Sequence, residues 1–128
     1  MKRSRKAVEL KHSGMNCGQA VLLAFGDKTG LSDEELKRVG AAFGIGMGCF
    51  ESTCGALCGA QMVLGLARYS GKPLVRDART FLEEFKKRVG ATNCGEIRGK
   101  ETGKPLCECD NCIIHACDIA WEALCQGE

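Results

Sequence analysis

The residues of this chain best able to do chemistry are its cysteines, ten among 128 residues. Cys107, Cys109, Cys112, Cys117 and Cys125 crowd the C-terminal region, while Cys54 and Cys58 stand one helical turn apart inside the run CGALCGA. Thiolates ligate soft metals, hold iron–sulfur clusters and exchange with disulfides. In a reducing compartment such density points to metal binding or redox work rather than to structural disulfides. The compartment expected is the cytoplasm. The basic start Met1–Lys6 is followed by Glu9, Lys11 and His12, which interrupt any apolar export segment.

Cys54 and Cys58, spaced i,i+4, would project from one helix face with Cβ atoms roughly 5–6 Å apart. That distance suits two thiolates on one metal and exceeds the ~3.8 Å a relaxed disulfide prefers. Cys54 is the chemical candidate of the two. It falls behind Ser52 and Thr53 in the first turn of an expected helix, where unpaired backbone N–H groups favour a thiolate. Cys58 reads as a small packing residue. Cys107, Cys109 and Cys112 form C-x-C-x-x-C between the loop holding Pro105 and the last helix, a spacing that suits zinc or an iron–sulfur centre. A fourth ligand would come from Cys94, Cys54 or Cys17. The pattern is neither a zinc ribbon nor the bacterial ferredoxin run, and no CxxCH marks covalent haem. Cys117 and Cys125 read as core residues and Cys49 as an accessory thiol in a glycine loop. His115 falls on a polar face, and His12 has no expected partner. No Ser-His-Asp set, phosphate loop or paired-carboxylate site is present, which sets hydrolase and kinase chemistry aside.

The elements that must position these sulfurs are helical. A short first helix is expected over Ser4–His12. Asn16 with Gln19, and Ser32 with Glu35, read as capping boxes opening the next two. The first of these turns Ala20, Val21, Ala24 and Phe25 to one side; the second turns Leu36, Val39 and Phe43. The glycine-rich run Phe43–Cys49 reads as a loop of unusual backbone geometry. Thr53–Ser70 is apolar on nearly every face and is expected to be the buried centre, its Gly55, Ala56, Gly59 and Ala60 allowing close backbone approach. Val75–Val89 carries a stripe of Ala78, Phe81, Leu82, Phe85 and Val89, with Glu83–Lys87 and Glu84–Arg88 pairs outside. Thr92–Glu108 is a connection with one short helical turn after Cys94. The last helix is expected over Asn111–Leu124, with His115, Asp118, Glu122 and Gln126 on its polar side. Its buried side is Ile113, Ile114, Cys117, Ala120, Trp121 and Leu124.

The fold expected is therefore all-α: one cysteine-rich domain over residues 1–128, a bundle of about five to six helices around a Gly/Ala-rich central helix. With 45% hydrophobic and 27% charged residues the composition is that of an ordinary globular domain. Eighteen Lys and Arg against sixteen Asp and Glu leave only +2, too little to argue for nucleic acid, and no apolar run would span a membrane. The apolar central helix is compatible with a homodimer.

The ordered set NCGQAV (Asn16–Val21), CGALCGA (Cys54–Ala60), Cys94 and a cysteine near the last helix resembles the C_GCAxxG_C_C family, redox-active proteins sharing four cysteines and a CGAxxG motif. The likeness runs from about Ala7 to Leu124. It implies that Cys17, Cys54, Cys94 and Cys112 form the working set, with Cys109 the alternative to Cys112. It also implies a helical fold and thiol redox work with an unnamed redox partner. The six further cysteines depart from the family pattern and leave open one centre or two. On this reading the four distant sulfurs converge on one site where helix N-termini favour thiolates. An iron–sulfur cluster or other metal for electron transfer is the leading expectation, with Cys107 and Cys109 as added ligands. Metal-free dithiol–disulfide cycling and a zinc-stabilised structural or interaction module are the alternatives.

Overall fold

The computed structural model describes residues 2–125, so Gln126 lies outside the described residues. Eight α-helices follow in order: α1 Arg3–His12, α2 Cys17–Ala24, α3 Gly26–Thr29, α4 Asp33–Gly40, α5 Gly55–Arg68, α6 Val75–Val89, α7 Cys94–Arg98 and α8 Cys109–Leu124. A single π-type turn, Gly46–Phe50, lies between α4 and α5. The all-α class holds, but the described residues carry nine helical segments rather than five to six. The surplus comes from α3, the π-turn and α7, of four or five residues each. Segments that short complete too few turns to imprint a periodicity on the sequence. No helix among the described residues is long and apolar enough to cross a membrane.

Both capping boxes form. Asn16 Oδ1 accepts from the Gln19 N–H at 2.8 Å and Gln19 Oε1 accepts from the Asn16 N–H at 3.0 Å, which fixes the start of α2. Ser32 and Glu35 do the same for α4. The α2 start also ends α4. Asn16 Nδ2 donates to the carbonyls of Gly40 and Ala41, and Gln19 Nε2 donates to that of Lys37. With its last carbonyls engaged, α4 stops at Gly40, so Phe43 lies beyond the helix and Val39 is exposed.

α5 packs between α2 and α8. Its Gly55, Ala56, Leu57, Gly59, Ala60, Val63 and Leu64 are buried, but its last turn, with Leu66, emerges into solvent. A Cβ on Gly59 would meet the Gly18 carbonyl oxygen at 2.8 Å, so the α2–α5 approach requires glycine there. α6 covers α5 with Phe81, Phe85 and Val89, and Gln61 Nε2 donates to the Ala78 carbonyl at 3.0 Å. Leu82 is exposed, because one strict i,i+4 row faces the core and Leu82 sits beside it. The Glu84–Arg88 pair forms and extends to Glu122, whereas Glu83–Lys87 is absent from the ion pairs of the described residues. α8 begins two residues earlier than expected. It buries Cys112, Ile113, Ala116, Cys117, Ile119 and Ala120, leaving Trp121 on the surface and Ile114 and Leu124 half-buried.

Candidate functional site

The sulfur site is assembled at helix starts. Cys17 follows the Asn16 cap as the first residue of α2, Cys94 opens α7 behind its Asn93 cap, and Cys109 opens α8. Cys54 is the N-cap of α5, and Cys112 lies in the first turn of α8. These starts are tied together by backbone. Thr53 and Asn93 form an isolated antiparallel bridge, with the Cys54 N–H donating to the Thr92 carbonyl and the Cys94 N–H to the Ser52 carbonyl, each at 2.8 Å. Asn93 Nδ2 adds a bond to the Glu51 carbonyl.

A small cavity of about 20 Å³, the room of roughly one water-sized sphere, is lined by Cys17, Cys54, Cys94, Cys107, Cys109 and Cys112 together with Ile45, Ile97 and Arg98. All six candidate sulfurs of the sequence are thus brought together, and both alternatives for the late family cysteine, Cys109 and Cys112, are among them. Cys17, Cys54, Cys94 and Cys112 are buried, while Cys107 and Cys109 are half-buried. Cys49 is exposed and does not line the cavity. Neither does Cys58, whose Sγ lies 3.9 Å from the Thr53 carbonyl oxygen. Burial pushes its thiol up to about 11, in keeping with packing. Cys117 and Cys125 are core residues.

Inside the cavity the sulfurs stand in pairs. Cys17 Sγ and Cys109 Sγ are 3.1 Å apart. Cys54 and Cys112 interact as the second pair across the cavity they both line, and Cys112 Sγ also lies 3.9 Å from the Cys107 carbonyl oxygen. Two adjacent thiols cannot both ionise cheaply, so each pair divides into a thiolate and a thiol. Cys109 is lowered to about 6, first by the hydrogen bond from Cys17 and then by the positive charges of Lys11 and Arg98. Cys17 is correspondingly raised, by that same bond and by burial. Cys54 is lowered to about 7, first by the Cys112 thiol and then by the N–H groups of Ala56 and Leu57 at the α5 start. Cys112 is raised by holding its proton toward Cys54. Burial raises Cys94 against the opposing pull of Arg98. The thiolate expected where helix starts meet falls on one member of each pair, Cys109 and Cys54.

Several supporting residues have no signature in the sequence. Arg98 Nη2 lies 3.9 Å from Cys109 Sγ, and its guanidinium stacks over the Phe50 ring at 5.2 Å. Lys11 on α1 acts on Cys109 and Cys17 through its charge and also pairs with Asp110 at 3.6 Å. His12 does have a partner, Asp110 Oδ2 at 2.7 Å. These contacts join segments far apart in the chain, so spacing could not reveal them. The π-turn covers the cavity: Ile45 lines it, and a Cβ on Gly46 would run into the Cys94 side chain. Ile45, Met47 and Phe50 all hold positive φ, at 54°, 63° and 63°. Such backbone costs of order 1–3 kcal/mol per residue and persists where surrounding structure imposes it.

Six thiols have the donor chemistry of a soft-metal site. Their present spacing is paired: among the described residues no group of three or more His, Cys, Asp or Glu side chains is arranged to hold a metal ion. The model of the family described as "Putative redox-active protein (C_GCAxxG_C_C)" matches residues 15–123. The chain belongs to the C_GCAxxG_C_C family. The match to the C_GCAxxG_C_C model takes in all six cavity cysteines, from Cys17 on α2 to Cys112 on α8. No curated protein and no solved structure matches the chain.

Proposed function

We propose that the chain is a thiol-based redox protein that exchanges two electrons with a disulfide partner through Cys17 and Cys109. The observation that carries this reading is the 3.1 Å between the two sulfurs. A contraction to the ~2.05 Å of an S–S bond would complete the couple. The half-buried Cys109 thiolate attacks one sulfur of a partner disulfide R–S–S–R. A bond forms between Cys109 Sγ and that sulfur, and the other sulfur leaves as R–S⁻. The Cys17 thiol gives its proton to this leaving thiolate and attacks Cys109 Sγ, expelling the second R–S⁻, which is protonated by water. One disulfide is reduced to two R–SH, and Cys17 and Cys109 are oxidised to one intrachain disulfide. In a reducing cytoplasm the reverse exchange restores the dithiol.

A second reading is favoured by the six thiols lining one cavity. Cys17, Cys54, Cys94, Cys107, Cys109 and Cys112 are the residues that would hold an iron–sulfur cluster or a zinc ion. A cluster would supply one-electron transfer, and zinc a structural cross-link in an interaction module.

Anaerobic purification, followed by an absorption spectrum, iron, zinc and sulfide analysis, and thiol counting before and after addition of 2-hydroxyethyl disulfide, separates these readings. The dithiol reading expects a colourless, metal-free chain that loses the Cys17 and Cys109 thiols together and regains them with dithiothreitol. Visible absorption that bleaches on reduction supports the cluster, and stoichiometric zinc on a redox-silent chain supports the module. A metal-free, reduced protein that forms no disulfide defeats all of them.

A further inference from the structure

We infer that the pocket contains a second, buried dithiol couple, Cys54 and Cys112, which is oxidised from within by the Cys17–Cys109 disulfide. The inference rests on the dithiol reading above and deepens it.

The observations are burial and adjacency. Cys54 and Cys112 are 7% and 2% exposed, so both members of this pair are buried, whereas the Cys17–Cys109 pair has the half-buried Cys109 open to an external disulfide. Both nevertheless line the same 20 Å³ cavity as Cys17 and Cys109. In a space that small, sulfurs on opposite walls lie within reach of one another. Cys54 interacts electrostatically with both Cys17 and Cys109, and also with the Cys112 thiol. Cys54 is also fixed against the cavity by its backbone bond to Thr92 and by its place at the α5 start. Bonding would replace only weak contacts: Cys112 Sγ lies 3.9 Å from the Cys107 carbonyl oxygen, and Cys54 faces the N–H groups of Ala56 and Leu57 at the α5 start.

Internal exchange then needs no further oxidant. The Cys54 thiolate attacks Cys109 Sγ of the Cys17–Cys109 disulfide. A Cys54–Cys109 bond forms, and Cys17 leaves as a thiolate that takes up a proton. Cys112 gives up its proton and attacks Cys54 Sγ; a Cys54–Cys112 bond forms, and Cys109 leaves as the thiolate. The disulfide has moved inward, with two electrons passing from Cys54 and Cys112 to Cys17 and Cys109. The restored outer pair meets a second partner disulfide, so the chain takes four electrons' worth of oxidation in two steps. Cys109 is half-buried, whereas Cys54 and Cys112 are both buried. This ordering makes the outer pair the port and the inner pair the store.

The test uses the intact, reduced wild-type chain with excess 2-hydroxyethyl disulfide, quenched at intervals with acid, alkylated under denaturing conditions and mapped by mass spectrometry. The expected result is loss of two thiols as a Cys17–Cys109 disulfide, followed by loss of two more as Cys54–Cys112. A Cys17→Ser/Cys109→Ser variant should then lose no thiol at Cys54 and Cys112 on the same timescale. A stable Cys17–Cys109 disulfide with Cys54 and Cys112 still alkylated at the end overturns this inference while leaving the dithiol reading intact. Failure of Cys17–Cys109 to form overturns both. Equally fast Cys54–Cys112 formation in the double variant overturns the internal route.

Discussion

At the scale of single residues, the site works by dividing protons between neighbours. The Cys109 thiolate is populated once pH exceeds about 6, whereas an ordinary thiol requires pH near 8.5. Iodoacetamide should therefore already modify Cys109 readily at pH 7, and the Cys109 rate should fall as pH drops through about 6. Peptide mapping over a pH series reads both. Replacing Cys17 by Ala removes the hydrogen bond that contributes most to the Cys109 shift. The midpoint of the Cys109 profile should then move upward, cutting its rate at pH 6.5 several-fold. Arg98→Gln should move the same midpoint by less, because the guanidinium acts at 3.9 Å and ranks behind the Cys17 bond and Lys11. An unmoved profile in Cys17→Ala would show that the two sulfurs do not share a proton.

At the scale of elements, the close α2–α5 approach and the caps are the quantities to perturb. Gly59→Ala places a methyl 2.8 Å from the Gly18 carbonyl oxygen, and overpacking of this kind typically costs ~1–3 kcal/mol. Urea unfolding of the reduced protein should show that loss as a lower midpoint with an unchanged slope. Asn16→Ala removes a cap worth ~1 kcal/mol together with two bonds to the α4 end. It should also slow Cys17–Cys109 closure, because Cys17 is the very next residue. Much of this was legible. Asn16–Gln19 and Ser32–Glu35 are local patterns whose partners lie three residues apart, and both boxes form. The run Phe43–Cys49 was readable as irregular because glycines announce it. The positive φ at Ile45 and Met47 within it, and at Phe50 just beyond it, was not, since bulky residues seldom adopt that geometry unless tertiary contacts impose it. Leu82, Val39 and Trp121 were assigned to buried faces because an apolar residue next to a stripe resembles one inside it. Their exposure depends on which neighbour covers the helix, and that is a property of the fold rather than of the segment.

For the whole molecule, oxidation should be a stabilising event. A Cys17–Cys109 disulfide closes a separation of 92 residues, and a loop near that length restricts the unfolded chain by up to ~4–5 kcal/mol before strain is deducted. The oxidised protein should therefore unfold at a higher urea midpoint than the reduced one, and dithiothreitol should erase the difference. A lower midpoint on oxidation would mean that drawing α2 and α8 together distorts the bundle more than it restrains the unfolded chain. The convergence of Cys17, Cys54, Cys94 and Cys112 could be anticipated from the family pattern, but that Cys107 and Cys109 line the same cavity could not. The pairing of Cys17 with Cys109 could not either, because it depends on how α2 and α8 are stacked.

The two-residue bridge between Thr53 and Asn93 gives the pocket a rim made of main chain. An amide bonded across two segments exchanges only when a local opening parts them. The spacing of Cys54 from Cys94 should accordingly outlast softening of the surrounding helices. In hydrogen–deuterium exchange, the amides of Cys54 and Cys94 should be the slowest of all those outside the long helices. Early exchange at these two positions would mean that the sulfur chamber opens before the bundle does.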